Sequence, residues 1–127
     1  MHNSPLKSVK SSPRRTIALG LTAILAMLIA YLTLTPVSAP DLFSGVDKIY
    51  HIIAFAALLI PSAYLYRPVL YYTLPCAILF GGMIEIIQPY VNRTGDMADF
   101  AADIIGTILG VAIGLVLSYI FRPRVRV

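Results

Sequence analysis

The polar residues of this chain gather in three short runs, and each run holds groups able to transfer a proton, grip an anion or ligate a metal. The first is Asp47, Lys48 and His51. Asp47 and His51 are four residues apart, so on a helix they share a face. An imidazole oriented by a carboxylate is suited to act as a general base. Two plainer roles stand beside that one. Asp47 at a helix N-cap would accept free backbone N–H groups at the positive end of the dipole, and His51 near a membrane surface would reach toward headgroups.

The second run closes an apolar stretch with Glu85 and Gln88, three apart and on one face. A carboxyl in apolar surroundings suits a general acid, and it equally suits a structural bond to a neighbouring helix. The third run carries Asn92, Arg93 and Thr94, then Asp96, Asp99 and Asp103. The aspartates are spaced at three and four, which at ~100° per residue is one narrow helical stripe. Arg93 has the fork geometry for a phosphate or carboxylate, and Lys48 and Gln88 complete a candidate substrate-binding set. Asp47 and Asp96 take supporting roles. Carboxylates that converge could also hold a hard divalent cation. Zinc is disfavoured by the single histidine outside the N-terminal residues and the lack of a cysteine near these runs, so the metal, like any cofactor, is left open.

What must position these groups is a membrane bundle. Of 127 residues, 58% are apolar and 13% charged, and the mean hydropathy is +0.81. Soluble domains are about half apolar and about a quarter charged, and a chain this short could not bury the excess in water. A helix crosses a bilayer with about 20 apolar residues. Four segments qualify: Thr16 to Thr35, Lys48 to Tyr66, the stretch between Pro68 and Pro89, and Met97 to Phe121. No period-2 alternation favours a barrel. The expected fold is all-α, a four-helix transmembrane bundle, with a basic tail at 1–15, the membrane domain at 16–121 and a second basic tail at 122–127. The motif Val37-Ser38-Ala39 resembles a signal-peptide cleavage site, but the preceding apolar run is too long for a signal core and Pro40 follows the cut.

Orientation follows from the positive charges, because cytoplasmic loops and tails hold the excess of Lys and Arg. Lys7, Lys10, Arg14, Arg15, Arg67, Arg122, Arg124 and Arg126 fall on one side of the four spans. Lys48, Arg93 and all the acids, Asp41 included, fall in the other half. Both termini are therefore expected inside. The stripe of Asp96, Asp99 and Asp103 continues as Gly106, Gly110 and Gly114, and stacked small residues mark a face that packs closely on another helix. The aspartates above that face then turn inward as well. His51, Glu85 and Asp103 should meet about 5–10 Å below the outer surface. Cys76, alone, can form no intrachain disulfide and is expected as a buried thiol of the inner half.

The runs DKIYHIIAFAAL and FGGMIEIIQPYVNRTGDMADFAADIIGTILG resemble the VanZ-like family of small bacterial membrane proteins. Asp47, Lys48, His51, Glu85, Gln88, Arg93, Asp99, Asp103 and Gly106 fall on that family's pattern, over roughly positions 45 to 120. Asp103 departs from it, since many relatives have Asn there. The resemblance implies a multi-pass protein of the bacterial inner membrane. The family's namesake is associated with low-level resistance to teicoplanin, a glycopeptide directed at cell-wall precursors. Resistance does not transfer with the fold.

Three functions follow from these residues. In the first, His51, Glu85, Asp99 and Asp103 are catalytic or binding groups acting on an envelope lipid or cell-wall intermediate at the outer leaflet. In the second, the same acids serve a small ion or solute transporter, although the inner half of each span offers few polar residues for a path. In the third, they only pair helices in a structural or assembly protein. Whether the chain is an enzyme is left open, as is its oligomeric state. The bilayer is the expected partner, with anionic lipid or a cell-wall precursor at the site. The basic tails lack aromatic interleaving, so anionic headgroups rather than nucleic acid are their expected partner.

Overall fold

A computed structural model describes residues 12–36 and 45–122. Most of both expected tails, Asp41 and the Val37-Ser38-Ala39 motif lie outside the described residues. Four helices make up the fold: α1 (Pro13–Leu34), α2 (Val46–Leu65), α3 (Leu70–Ile87) and α4 (Met97–Phe121), with 3-10 turns at Arg67–Val69 and Gln88–Val91. No strand occurs among the described residues. All four helical stretches are long and apolar enough to cross a bilayer, which fits a multi-pass membrane protein.

Local chemistry sets the helix ends. Pro13 opens α1 at a position where its missing N–H is not needed, so Pro13, Arg14 and Arg15, expected in the tail, form the first turn of the helix instead. Thr35 ends α1 in an extended conformation because Pro36 follows it. Gly45, at φ 117°, turns the chain into α2. At the far end of α3, Asn92 adopts the left-handed conformation at φ 63° and stops the helix. Asp96 then caps α4, its Oδ1 accepting from the Ala98 N–H at 2.9 Å. That bond holds the Asp96 carboxyl below the usual carboxylate range.

Helix α2 is central. It packs most extensively on α4, and also against α1 and α3. The core runs through Ile29, Phe55, Leu58, Leu59, Ala77 and Ile84, with the Phe55 and Phe80 rings 5.9 Å apart. The expected glycine seam is present: Gly106, Gly110 and Gly114 are buried on α4. A Cβ at Gly106 would collide with the Ile52 carbonyl, and one at Gly110 with that of Ala56. Hydrogen in place of a methyl group lets α4 lie directly on the α2 backbone.

The outer surface of the bundle is apolar. Met27, Ile53, Leu79, Ile108 and Val116 all face outward, an arrangement water would penalise and hydrocarbon accepts. Cys76, expected to be buried, is exposed on this surface. Pro61 and Pro75 sit inside α2 and α3, where neighbouring helices make such interruptions tolerable. The chain ascends in α1 and α3 and descends in α2 and α4. One end therefore holds Arg14, Arg15, Arg67 and Arg122, and the other holds the first turns of α2 and α4 and the last turn of α3.

Candidate functional site

The three polar runs meet at that second end. Helix α2 brings His51, α3 brings Glu85, and α4 brings Asp99 and Asp103, all buried. Exposures are 4% for His51, 9% for Glu85, 3% for Asp99 and 1% for Asp103. The seam explains the convergence. With Gly106 pressed on Ile52, the residue one turn earlier on α4 falls beside the residue before Ile52 on α2. The His51 Nδ1 and Asp103 Oδ1 are 2.7 Å apart.

This contact corrects one expectation. His51 is oriented by Asp103 across the helix interface, not by Asp47 on its own helix. Asp47 is also not the α2 N-cap; Gly45 takes that place and Asp47 lies exposed in the first turn. It remains near, since one donor atom from each of Asp47, His51 and Asp99 lies within 4.8 Å of the other two.

Glu85 binds the loop above it. Its Oε2 accepts from the Asp96 N–H at 2.8 Å. Gly95 sits so tightly on the Glu85 carbonyl that a Cβ there would overlap it. Gln88, 2% exposed, has two amide orientations. One puts Nε2 3.3 Å from Thr33 O; the other puts it 3.3 Å from both Glu85 Oε2 and Thr94 O. We adopt the second, because it makes two bonds and one of them is to a carboxylate. Gln88 then holds Glu85 and the loop together.

The cations are committed to protein partners. Lys48 Nζ stands 3.5 Å from Asp96 Oδ2 and 3.5 Å from Asp99 Oδ1, and its side chain is about half exposed. Arg93 reaches over to α1, where its Nη1 donates to Thr35 O at 3.1 Å and to Leu32 O at 3.4 Å. These are carbonyls at a helix C-terminus, which attract a cation. Asp96, expected on the inward stripe, is an exposed cap outside it.

Four buried carboxylate and hydroxyl oxygens at or below this cluster have no hydrogen-bond partner among the described residues: Glu85 Oε1, Asp99 Oδ1, Asp103 Oδ2 and Thr107 Oγ1. Asp99 Oδ1 has the Lys48 ion-pair distance without hydrogen-bond geometry. Asp103 Oδ2 is turned toward α3, so close to Gly81 that a Cβ there would stand 2.8 Å away.

A cavity of about 340 Å³ opens beside the cluster, between the upper halves of α1 and α2. Leu32, Ile53 and Phe55 give it apolar walls, Asp47, His51 and Arg93 are its titratable groups other than tyrosine, and Thr33 and Tyr50 add hydroxyls. His51 thus faces the cavity and also bonds to the buried acid. Glu85, Asp99 and Asp103 do not line it. Sequence reasoning missed the part played by α1, which has no titratable residue here and contributes wall and backbone carbonyls. It also missed Gly81 and Gly95. Gly81 stands one turn before Glu85, and Gly95 directly before an N-cap aspartate, which are the only signals either offered.

Compared with family models, curated proteins and solved structures, the chain matches none.

Proposed function

We propose that this is a VanZ-like protein of the bacterial inner membrane, with both termini inside, that binds an envelope lipid or cell-wall intermediate in the cavity between α1 and α2. The observation that supports the reading most is the composition of that cavity. It has apolar walls for a chain and, at one end, Arg93, Asp47 and His51 for a headgroup. Arg93 supplies donors for an anionic group, and Asp47 supplies acceptors. A rim with both suits a headgroup that carries phosphate and hydroxyls together, as sugar-phosphate lipids do. The carbonyls of Leu32 and Thr35 hold the guanidinium at the mouth, so little side-chain freedom is lost on binding.

The arginines at the opposite end of the bundle support the orientation, since they gather where the positive-inside rule puts the cytoplasm. In that orientation the cavity would open at the outer leaflet. His51, backed by Asp103 at 2.7 Å, is positioned to take a proton from a bound hydroxyl, with Asp103 fixing the imidazole orientation. Glu85 and Asp99 lie behind that pair and shape its field.

The test is binding of a long-chain polyprenyl phosphate and of the matching neutral polyprenol to the full chain in nanodiscs. The phosphate should bind at least ~10-fold more tightly, a difference of about 1.4 kcal/mol. Arg93→Gln should erase the preference, and Ala54→Phe, which narrows the cavity, should weaken both. Equal binding of the two lipids, unaffected by Ala54→Phe, refutes the proposal. Topology is checked by cysteine labelling in Cys76→Ala, with single cysteines at the tips of the α2–α3 and α3–α4 turns. Labelling of the α2–α3 turn from outside the cell would reverse the assignment.

A further inference from the structure

We infer that His51, Glu85 and Asp103 form a binding site for one divalent first-row transition-metal cation. The inference does not depend on what occupies the cavity between α1 and α2, but it replaces the proton-accepting role of His51, whose ring nitrogen would be on the cation. It rests on three observations.

Geometry is the first. One donor atom from each of the three side chains lies within 4.8 Å of the other two. A cation bound at ~2.1 Å by three such donors holds them about 3–3.5 Å apart. His51 and Asp103 would exchange their 2.7 Å hydrogen bond for the cation, and the more distant donors would draw in by little more than 1 Å, within reach of side-chain rotation.

The second is the unpaired atoms. Asp103 Oδ2 and Glu85 Oε1 are buried and have no hydrogen-bond partner among the described residues. Asp103 is 1% exposed and Glu85 9%. Buried carboxylate oxygens in native proteins are paired or ligate metals. Asp103 Oδ2 is turned toward Gly81 on α3, and Glu85 is one helical turn further along α3. The two orphan oxygens therefore belong to the facing sides of α3 and α4. Gly81 is what allows this: any larger residue would meet Asp103 Oδ2 at 2.8 Å or less and push it away.

Charge is the third. Glu85, Asp99 and Asp103 are buried together; Lys48, shared with Asp96, stands 3.5 Å from Asp99, and the His51 imidazole stands 2.7 Å from Asp103. With the carboxylates ionised and His51 neutral, three carboxylates against one shared ammonium leave excess negative charge in a low-dielectric interior. A divalent cation supplies the balance. Asp99 would then stay outside the ligand set, held by Lys48, and orient the site from above.

The donor set selects the metal. One imidazole nitrogen with carboxylate oxygens suits Zn²⁺ and Mn²⁺ better than Mg²⁺ or Ca²⁺, which favour all-oxygen shells. A single histidine argues for hard cations when sequence alone is read; an imidazole inside the cluster shifts the preference to the first row. By the Irving–Williams order Zn²⁺ should bind more tightly than Mn²⁺.

The test uses the full chain carrying Cys76→Ala, purified in detergent without a histidine tag and stripped with chelator. Titration calorimetry with ZnCl₂ and MnCl₂ should give one cation per chain, and MgCl₂ at the same concentration should not compete. Asp103→Asn and Glu85→Gln, both close in shape to the parent, should each weaken binding at least ~10-fold. The Mn²⁺ form should show nitrogen coupling in pulsed electron paramagnetic resonance, lost in His51→Gln. Absence of saturable binding by the parent overturns the site. So does binding that Asp103→Asn and Glu85→Gln leave unchanged while circular dichroism shows them folded. If those variants fail to fold, the nitrogen coupling of the parent decides alone: its absence refutes the site. No lipid ligand is present in this experiment, so its failure would leave the lipid reading standing, and a failure of lipid binding would leave the metal site standing.

Discussion

At the basic end of the bundle, most buried polar groups find partners, the Thr73 hydroxyl being the exception among the described residues. Thr22 Oγ1 and Ser62 Oγ meet at 3.1 Å across α1 and α2, and Arg122 donates to Tyr64 O at 3.1 Å and to Ser118 Oγ at 3.4 Å. At the acidic end, Glu85, Asp99 and Asp103 each leave an oxygen unbonded in the interior. Thr73 at the basic end and Thr107 below the acidic cluster are also unpaired, but a neutral hydroxyl in hydrocarbon is far less costly than a carboxylate. One end is arranged as a stable membrane protein should be, and the other retains charge that packing alone would have removed. The proposed binding site would account for that local cost.

The comparison is tested most severely at the seam both ends share. Gly106→Leu puts a side chain where the Ile52 carbonyl already lies. Backbone cannot move aside as a flexible side chain would, so the loss should go well beyond the ~1–3 kcal/mol seen for overpacking. Thermal unfolding in detergent should show a large drop, and the protein should accumulate poorly in membranes. Gly20→Leu is the control, because nothing lies within 4 Å of the position a Cβ would take there. If both variants fold equally well, α4 does not ride on α2.

The next largest effect separates a functional charge pair from a structural one. His51→Leu leaves Asp103 buried without its 2.7 Å partner and should be destabilising by about 3–5 kcal/mol. The double variant His51→Leu/Asp103→Leu should recover most of that loss, being more stable than the single variant yet inactive in lipid or metal binding. A double variant less stable than His51→Leu would mean the pair holds the bundle together, and the contrast between the two ends would fail.

A smaller effect is expected where the loop closes over the site. Gly95→Ala drives a methyl group onto the Glu85 carbonyl, with the Pro89 ring 3.4 Å to the side. A destabilisation of about 1–2 kcal/mol is expected, measured by denaturant titration. Because Glu85 Oε2 is bonded to Asp96 N, displacement of this loop should also weaken metal binding, which a purely peripheral loop would not do.

How far the sequence could be read depended on which groups carry the signal. The four helices were legible because a continuous apolar run is itself the membrane signal, and α4 spans Met97–Phe121 as expected. The meeting of His51, Glu85 and Asp103 was legible because glycines spaced by four identify the inward face of α4, and the acids continue that face. Partner choice was not legible. Helix spacing pointed to Asp47 as the partner of His51, and Asp103 takes that place only through the register of α4 on α2, which is set by contacts of Gly106 with a backbone carbonyl that no side-chain pattern reports. The role of α1 was hidden for a related reason. It holds Arg93 through the carbonyls of Leu32 and Thr35, and carbonyls are common to every residue type. Exposure of Cys76 was missed because every face of α3 is apolar, so hydropathy could not say which side meets lipid.

The smallest predicted effect sharpens the comparison from the basic end. Thr22 and Ser62 share a single hydrogen bond, and both belong to helices whose remaining surfaces there are apolar. Thr22→Val alone leaves the Ser62 hydroxyl, 0% exposed, without its partner, which should be destabilising by about 1 kcal/mol. Ser62→Ala alone should do the same or slightly less, because Thr22 is only half buried and can turn its hydroxyl to its own helix backbone. Replacing both removes two polar atoms together and should be neutral to within ~0.5 kcal/mol. Thermal unfolding of the four proteins in this cycle gives the coupling directly. Metal and lipid binding should not change in any of them. A double variant as destabilised as the sum of the singles would show that the hydroxyls act through something other than each other. The basic end would then also be carrying polar groups for a purpose beyond stability, and a path joining the two ends would have to be considered in place of a single closed site.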